Sequence, residues 1–274
     1  MVHNTITDVS ELRGLWRRSL IAWPDGNRDT TTSVAWLQGQ RAFIDLRQPA
    51  DTADFSRVHA LGDLSMEQCA WLAKQQGFAG RLAFDGSHFE WIRTIDYQPW
   101  TPWADAGSLC WEGGVLVETG RDIAYVEHWQ RDAAAPTLPV GAVTLRATDE
   151  NTAAALLRVG PLFMFARDRA VVPAAHRTLG ECVAAAPTLR HAQELVDCEI
   201  SFGDARSAGF RITASSLPYR LGDALDPHLA RERLTTTDRA ADGTALVRHW
   251  DITGSEGELD ALQHADLTAA SARA

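Results

Sequence analysis

The strongest constraint on this fold is a recurring pattern of short runs in which apolar and polar residues alternate. The runs at 33–38, 42–47, 89–96, 114–120 and 124–130 are five to eight residues long, and Gly or Asp residues stand at several of the breaks between them. Alternation with a period of two is typical of strands that bury one face, and spacing of about ten residues predicts hairpins. The pattern therefore predicts a mostly-β chain folded as a sandwich or an up-and-down barrel.

Helical signals are few. Residues 65–77 begin with Ser65 as an N-cap and end at Gly77 as a stop, and they contain good helix formers between the two. A weaker helical pattern covers 189–195. The chain is thus expected to carry one or two short helices.

The sequence repeats itself at an offset of about 120 residues. The matching anchors are Trp36 with Leu156, Ala42-Phe43-Ile44 with Leu162-Phe163-Met164, Arg47 with Arg167, Phe89 with Phe210, and His128-Trp129 with His249-Trp250. The two His-Trp pairs are the sharpest match because Trp is rare. The repeat predicts two domains, 1–135 and 136–253, joined by a Pro/Ala-rich linker at 131–139. An acidic, Ala-rich tail over 254–274 is expected to be mobile or loosely helical.

A family resemblance rests on local motifs of the first half. These are Gly14-Leu-Trp16, the run Phe89–Asp96, Asp105-Ala-Gly107, Glu118-x-Gly120 and Tyr125-x-Glu127-x-Trp129. They resemble the lipocalin-like or calycin barrels and are similar to a small fungal and bacterial family of tandem calycin-like barrels. The resemblance implies two consecutive antiparallel β-barrels, with Trp16 plugging the floor of the first, and it supplies no catalytic residue.

Tryptophan is concentrated in the first half. Nine of the ten Trp residues precede position 130, which is more than a core of this size needs, so the first half is expected to be the functional one. Alternation places Trp91 with Arg93, and Tyr125 with Glu127 and Trp129, on shared strand faces. A ligand pocket is therefore predicted, with these ligand-binding residues: Trp91, Arg93, Trp103, Trp111 and Trp129.

Charged residues on those faces suggest chemistry. Glu127 or Glu118 is a candidate general acid or base, since burial would raise a carboxyl pKa, and Tyr125 is a candidate hydrogen-bond donor. Arg93 is a candidate clamp for a ligand carboxylate or phosphate. The structural alternative is that Arg93 and Glu127 pair with each other and the tryptophans are core. Asp45 and Arg47 are expected to form an exposed ion pair.

The segment 96–107 contains two prolines and, three residues apart, Trp100 and Trp103. Exposed tryptophans on a stiff loop suggest a lid or a contact surface. A loop that simply folds over the barrel end remains the alternative.

Several function classes are disfavoured. The net charge of −10 repels nucleic acid, and no apolar run reaches the eighteen residues of a membrane span. The start of the chain lacks a signal-peptide pattern and the four cysteines are scattered, so a cytoplasmic location is expected. No phosphate-binding or nucleophile motif occurs, and His191 with Glu194 offers only two metal ligands, so neither cofactor nor metal is expected.

Three functions remain open. The first is binding of a small aromatic or amphipathic organic molecule in the first barrel. The second is a cofactor-independent lyase, isomerase or hydratase that uses a barrel carboxylate. The third is a protein-interaction module built on the Trp100–Trp103 loop. The second domain is expected to be a scaffold or a dimerisation partner, which makes a homodimer possible.

Overall fold

The computed structural model describes residues 4–99, 103–133, 137–148, 152–206 and 209–263. These residues form two antiparallel β-sheets, as the sequence predicted, and three short α-helices where one or two were expected. Within the described ranges, no helix is long and apolar enough to cross a membrane.

The first half forms a closed barrel. Its ten strands are β1 (Asn4–Thr5), β2 (Gly14–Ala22), β3 (Arg28–Asp29), β4 (Ser33–Gln38), β5 (Ala42–Gln48), β6 (Gln76–Phe84), β7 (Phe89–Asp96), β8 (Ala106–Glu112), β9 (Val115–Gly120) and β10 (Val126–Arg131). Eight of them pair in chain order from β2 to β10, and β10 pairs with β2 to close the ring. The short strands β1 and β3 pair on the outside of this ring with β8 and β2.

The second half forms a curled half-barrel. Its eight strands are β11 (Val140–Ala147), β12 (Ala153–Val159), β13 (Leu162–Arg167), β14 (Glu199–Asp204), β15 (Arg211–Ser215), β16 (His228–Ala230), β17 (Arg233–Arg239) and β18 (Ala245–Gly257). They also pair in chain order, with β18 returning to β11, and the sheet ends at β15 on one side and β16 on the other.

The repeated sequence anchors occupy matching places in the two meanders. Trp129 lies in β10 opposite Leu116 of β9, and Trp250 lies in β18 opposite Leu234 of β17. Each indole N–H donates to the residue two positions beyond that leucine, which is Glu118 in the first half and Thr236 in the second. The two halves therefore use one strand plan.

The helices are α1 (Met66–Leu72), α2 (Leu179–Ala184) and α3 (Leu189–Val196). Ser65 caps α1 and Gln68 completes a capping box. The helix is shorter than predicted, because β6 already begins at Gln76. Gly77 is not a helix stop, since it lies in β6 where an added Cβ would come within 2.6 Å of the Asp45 carbonyl oxygen.

Three apolar cores hold the molecule together. One fills the first barrel and a second lines the concave face of the second sheet. The third lies between the halves and includes apolar faces of all three helices. Neighbouring residues serve different cores: Trp36 points into the barrel and Leu37 toward the second half. This double burial explains why β4 and β5 show almost continuous burial in place of alternation.

A polar clamp also joins the halves. The Glu256 carboxylate accepts hydrogen bonds from the backbone N–H groups of Gln40, Arg41 and Ala42 at 3.0–3.1 Å. Glu256 belongs to β18, so the expected boundary at residue 253 falls inside a strand. Leu262 beyond it is fully buried, whereas residues 264–274 of the expected tail lie outside the described ranges.

Candidate functional site

A cavity of about 710 Å³ opens at one end of the first barrel. We call this end the mouth; there β2, β5 and β7 finish while β6, β8 and β10 begin. The volume is within the range of small-molecule sites. The lining combines aromatic and apolar side chains with charged ones. The aromatic and apolar members include Ile21, Phe78, Trp103, Ile123 and Tyr125, and the charged ones are Arg47, Lys74, Arg93, Asp96, Asp105, Glu127, Arg177 and Glu181.

Most tryptophans of the first half lie below this cavity. Trp36 packs with its ring centroid 5.7 Å from Trp16, 5.2 Å from Trp129 and 5.7 Å from Trp91. Trp111 stands 5.9 Å from Trp16. The barrel floor is thus an aromatic core, and Trp16 plugs it. Of the tryptophans predicted to bind ligand, Trp91, Trp111 and Trp129 belong to this floor, and Trp103 lines the cavity.

Arg93 is held between two carboxylates. Its Nη1 lies 2.7 Å from Asp96 Oδ2 and its Nη2 lies 2.6 Å from Asp105 Oδ2. The guanidinium carbon stands 3.7 Å from the centre of the Phe78 ring, a cation–π contact. Both terminal nitrogens of Arg93 are therefore occupied, and its partners are not Glu127, which the sequence had offered as an alternative.

Glu127 pairs with arginines from two other strands. Its Oε1 lies 2.6 Å from Arg18 Nη1 and 3.4 Å from Arg47 Nη1. Arg47 also grips Asp45 through Nε at 3.0 Å and Nη2 at 3.3 Å. The prediction of an exposed Asp45–Arg47 pair is wrong, since Asp45 is only 2% exposed inside the barrel. Burial raises the pKa of Asp45, although Arg47 opposes this shift.

Glu118 is a buried carboxyl without a cationic partner. The Tyr125 hydroxyl donates to its Oε1 at 2.6 Å and the Trp129 indole donates to its Oε2 at 3.0 Å. Burial, followed by the charges of Glu127 and Asp105, raises the pKa of Glu118 well above its usual value. Tyr125 lines the cavity, so a buried carboxyl with a raised pKa lies one hydrogen bond behind the cavity wall.

Tyr125 also reaches toward the other side of the mouth. Its hydroxyl oxygen is 3.5 Å from Asp105 Oδ1, and Asp105 holds Arg93. Burial and the nearby carboxylates raise the pKa of Tyr125. The hydroxyl therefore stays protonated: it can donate its one hydrogen bond to Glu118 or Asp105, and its oxygen can accept one from a ligand.

The second half completes the cavity wall. His176, Arg177, Thr178 and Glu181, which precede or begin α2, line the cavity opposite the barrel strands. At the rim Trp103 is 60% exposed and Ile123 is 48% exposed. Trp100, the other tryptophan of that loop, lies outside the described ranges. The mouth therefore has a charged interior, a rim with both apolar and charged side chains, and one wall from each half.

The corresponding end of the second half is filled. Arg167, the counterpart of Arg47, lies 2.8 Å from Asp197 and 3.5 Å from Asp238. Arg220, from the turn between β15 and β16, is 1% exposed and contacts Glu199 at 3.2 Å, Asp223 at 3.1 Å and Asp238 at 3.5 Å. Arg239 and Arg248 complete this cluster by pairing with Asp223 and Asp238.

A second concavity lies between the halves. It measures about 220 Å³ and is mainly apolar. Its acidic member, Glu256, is already engaged by the backbone of the β4–β5 turn. This groove therefore offers shape and little chemistry, and the mouth is the stronger candidate.

Sequence reasoning missed several residues of the mouth. In regular alternation Arg93 and Asp96 would face opposite ways, but a bulge in β7 shifts the register between Arg93 and Ile95 so that both face the cavity. Arg18 is likewise displaced by an irregularity between β2 and β10. The sequence does indicate that Asp45 and Arg47 pair, but it predicts the pair on the surface and not inside the barrel.

Carboxyl groups are abundant at the mouth, yet their arrangement is not that of a metal site. Among the residues described, no group of three or more His, Cys, Asp or Glu side chains is placed to hold a metal ion. The carboxylates are instead separated by guanidinium groups or by Tyr125.

Comparisons with known proteins add little. No family model matches the sequence. No curated protein matches it at a significant level. Among solved structures, the chain is similar to the uncharacterized protein YLR301w from yeast, at 12% identity and a TM-score of 0.49, over 89% of this chain and 98% of that one. The barrel is established by the strand pairing itself, and kinship with the calycins stays a prediction.

Proposed function

We propose that this protein binds a small amphipathic organic molecule in the mouth of the first barrel. The observation that carries the proposal is the composition of the cavity, which places ionised side chains beside aromatic ones in about 710 Å³. Pockets that bind organic ligands are typically concave and apolar with a few convergent polar groups. Here the polar groups lie deep and the apolar side chains Trp103 and Ile123 lie at the rim.

The stacked tryptophans support binding indirectly. A rigid aromatic floor holds Glu118 through Trp129 and carries Arg47 6.0 Å from the Trp129 ring. Polar groups fixed in this way lose little conformational freedom when a ligand arrives. We therefore assign the tryptophans a supporting role and Trp103 the direct contact.

The proposal is tested by blocking the cavity. Ala104 is exposed and lines the cavity, so Ala104→Phe should fill the mouth without touching the core. Ala230, an exposed residue of β16, supplies the control Ala230→Phe. Tryptophan fluorescence is followed during titration with aromatic acids, aromatic amines and fatty acids. Saturable change in the wild type and in Ala230→Phe, lost in Ala104→Phe, supports the proposal.

Two results contradict it. A ligand that binds equally to Ala104→Phe occupies another place. No saturable response to any member of the panel up to about 1 mM, the weakest affinity worth counting as recognition, would favour a protein partner at the exposed Trp103 rim.

A proton-transfer reaction at the same site is a second candidate. It is favoured by the Glu118–Tyr125 hydrogen bond, which connects a carboxyl with a raised pKa to the cavity wall. Glu127 suits this role less, because Arg18 and Arg47 hold its carboxylate and oppose the rise of its pKa. Once a bound compound is known, Tyr125→Phe should abolish its turnover and retain its binding. Unchanged turnover would exclude Tyr125 as the proton carrier.

A further inference from the structure

The buried groups of the mouth are unequal in charge. Two chains of direct contacts run through the mouth: Asp29–Arg18–Glu127–Arg47–Asp45 and Asp96–Arg93–Asp105–Tyr125–Glu118. In these chains six carboxyl groups meet three guanidinium groups. The remaining charged groups of the cavity lining are Lys74, Arg177 and Glu181.

Each guanidinium group of the two chains already contacts a carboxylate. Arg93 donates through its terminal nitrogens to Asp96 and Asp105, and its Nε has no hydrogen-bond partner among the described residues. Arg47 donates to Asp45 through two nitrogens and to Glu127 through the third. Arg18 is shared between Glu127 and Asp29. A ligand carboxylate would have to share a guanidinium group with an acid that already contacts it.

The carboxylates face the open space together with Arg93. Asp96 and Asp105 keep side-chain exposures of 21% and 19%, Arg93 keeps 28%, and all three line the cavity. Lys74 and Arg177 lie on the rim, where Glu181 accompanies them. The deep part of the cavity is therefore its negative part.

Given the binding function proposed above, we propose that the ligand carries a cationic nitrogen, as in a protonated amine, which lies against Asp105, Asp96 and Tyr125. Ammonium groups donate up to three hydrogen bonds and match carboxylate acceptors. The apolar part of the same molecule extends toward Trp103 and Ile123 at the rim. The ligand class is thus an amphipathic organic cation.

A cation in this position should also release a proton. Glu118 is faced by Tyr125, Glu127 and Trp129 from β10 and its preceding turn, by Asp105 before β8, and by the more distant Arg47 of β5. A ligand cation favours the ionised form of Glu118. By linkage, binding releases protons at any pH at which Glu118 is still protonated in the free protein, and affinity rises with pH through the titration of this carboxyl.

The experiment compares three compounds with one aromatic body: 2-phenylethylamine, 3-phenylpropionate and 2-phenylethanol. Binding to the intact protein is measured by calorimetry at neutral pH in two buffers of different ionisation enthalpy, which gives the protons released. We expect the amine to bind about tenfold more tightly than either other compound, with net proton release. Asp105→Asn should weaken the amine about tenfold and leave the alcohol unchanged. The matched control is Asp251→Asn, at a half-exposed acid of β18.

The outcomes separate this inference from the binding function itself. Tighter binding of the carboxylate than of the amine, abolished by Ala104→Phe, overturns the charge assignment and retains the cavity. Amine binding without proton release and without sensitivity to Asp105→Asn also overturns it. If none of the three compounds binds up to about 1 mM, the inference and the proposed aromatic ligand both fail.

Discussion

The two halves of this molecule follow one strand plan and use the same end of it differently. In the second half, four arginines meet four acids, and a turn inserts Arg220 to fill the space. In the first half three arginines contact six acids beside an open cavity, whose lining also includes Lys74, Arg177 and Glu181. Equal numbers of opposite charges in a filled space are a structural cluster. Where acids outnumber the arginines in contact with them beside a cavity, we propose that a ligand supplies the further cation.

The pKa values of two buried carboxyl groups, Glu118 in the first half and Asp238 in the second, shift in opposite directions. Burial raises the pKa of Glu118, and the neighbouring acids raise it further. Burial also acts to raise the pKa of Asp238, but Arg167, Arg220 and Arg248 outweigh it and the pKa is lowered. Desolvation alone does not decide the protonation of a buried acid; the number of cations in contact with it does.

The largest expected loss of stability comes from changing the buried charge cluster of the second half. Arg220→Met leaves Glu199, Asp223 and Asp238 short of a buried cation, and breaking such a cluster costs about 3–5 kcal/mol. The matched change Arg93→Met should lower the free energy of unfolding much less, because water in the cavity can hydrate Asp96 and Asp105. Urea unfolding measures both variants. Equal losses of unfolding free energy in the two variants would mean that the charge cluster of the second half and the mouth of the first barrel are packed alike.

Asp238→Asn should destabilise by about 2–3 kcal/mol near neutral pH, since a charge-assisted hydrogen bond from Arg248 and buried ion pairs with Arg167 and Arg220 are lost. The folded-state pKa is lowered, so this stability is present above the unfolded value of 3.8 and is lost as the pH falls through the folded value. The difference from wild type should therefore shrink in acid, as followed by unfolding at several pH values. A difference that grows in acid would contradict the assignment.

Glu118→Gln should show the opposite trend. The raised folded-state pKa means that the wild type is favoured below the unfolded value of 4.5 and loses stability as the pH rises toward the folded value. Glutamine does not titrate, so the stability of the variant relative to the wild type should increase as the pH rises from about 5. Near pH 5 the free energies of unfolding of the two proteins should agree to about 1 kcal/mol. A constant difference over this range would show that Glu118 is ionised throughout.

Trp103→Ala should have the smallest effect on folding. The side chain is 60% exposed, and surface changes of this kind are usually within about 0.5 kcal/mol. Its effect should fall on ligand affinity, which calorimetry measures with Trp23→Ala, at a 37% exposed tryptophan, as the comparison. Loss of stability beyond about 1 kcal/mol would place Trp103 in the structural part of the barrel.

Much of this arrangement could be predicted from the sequence, because strand alternation is a local signal. The period of two placed Tyr125, Glu127 and Trp129 on one shared face, and the structure shows that this face points into the barrel. The repeated His-Trp pairs indicated the duplicated meander. What alternation could not show is where it breaks. The bulge in β7 turns Asp96 inward, and the approach of His176 and Arg177 from the second half depends on packing between distant segments.

The same limit explains the misplaced ion pair. Asp45 and Arg47 share a strand face, which the sequence shows, but a pair of opposite charges is more often exposed than buried. The pairing of β10 with β2 closes the barrel and brings Arg18 and Glu127 next to the Asp45–Arg47 pair. These added ion-pair contacts offset the cost of burying the pair.

The most direct test of the account is a side-chain carboxyl NMR titration of the protein without ligand, with Glu118→Gln and Asp238→Asn used to assign the two resonances. The account predicts that Glu118 stays protonated well above pH 4.5 and that Asp238 stays ionised below pH 3.8. Ordinary titration of Glu118 at or below 4.5 would contradict it, because the first barrel would then hold its acids as evenly compensated as the second half does.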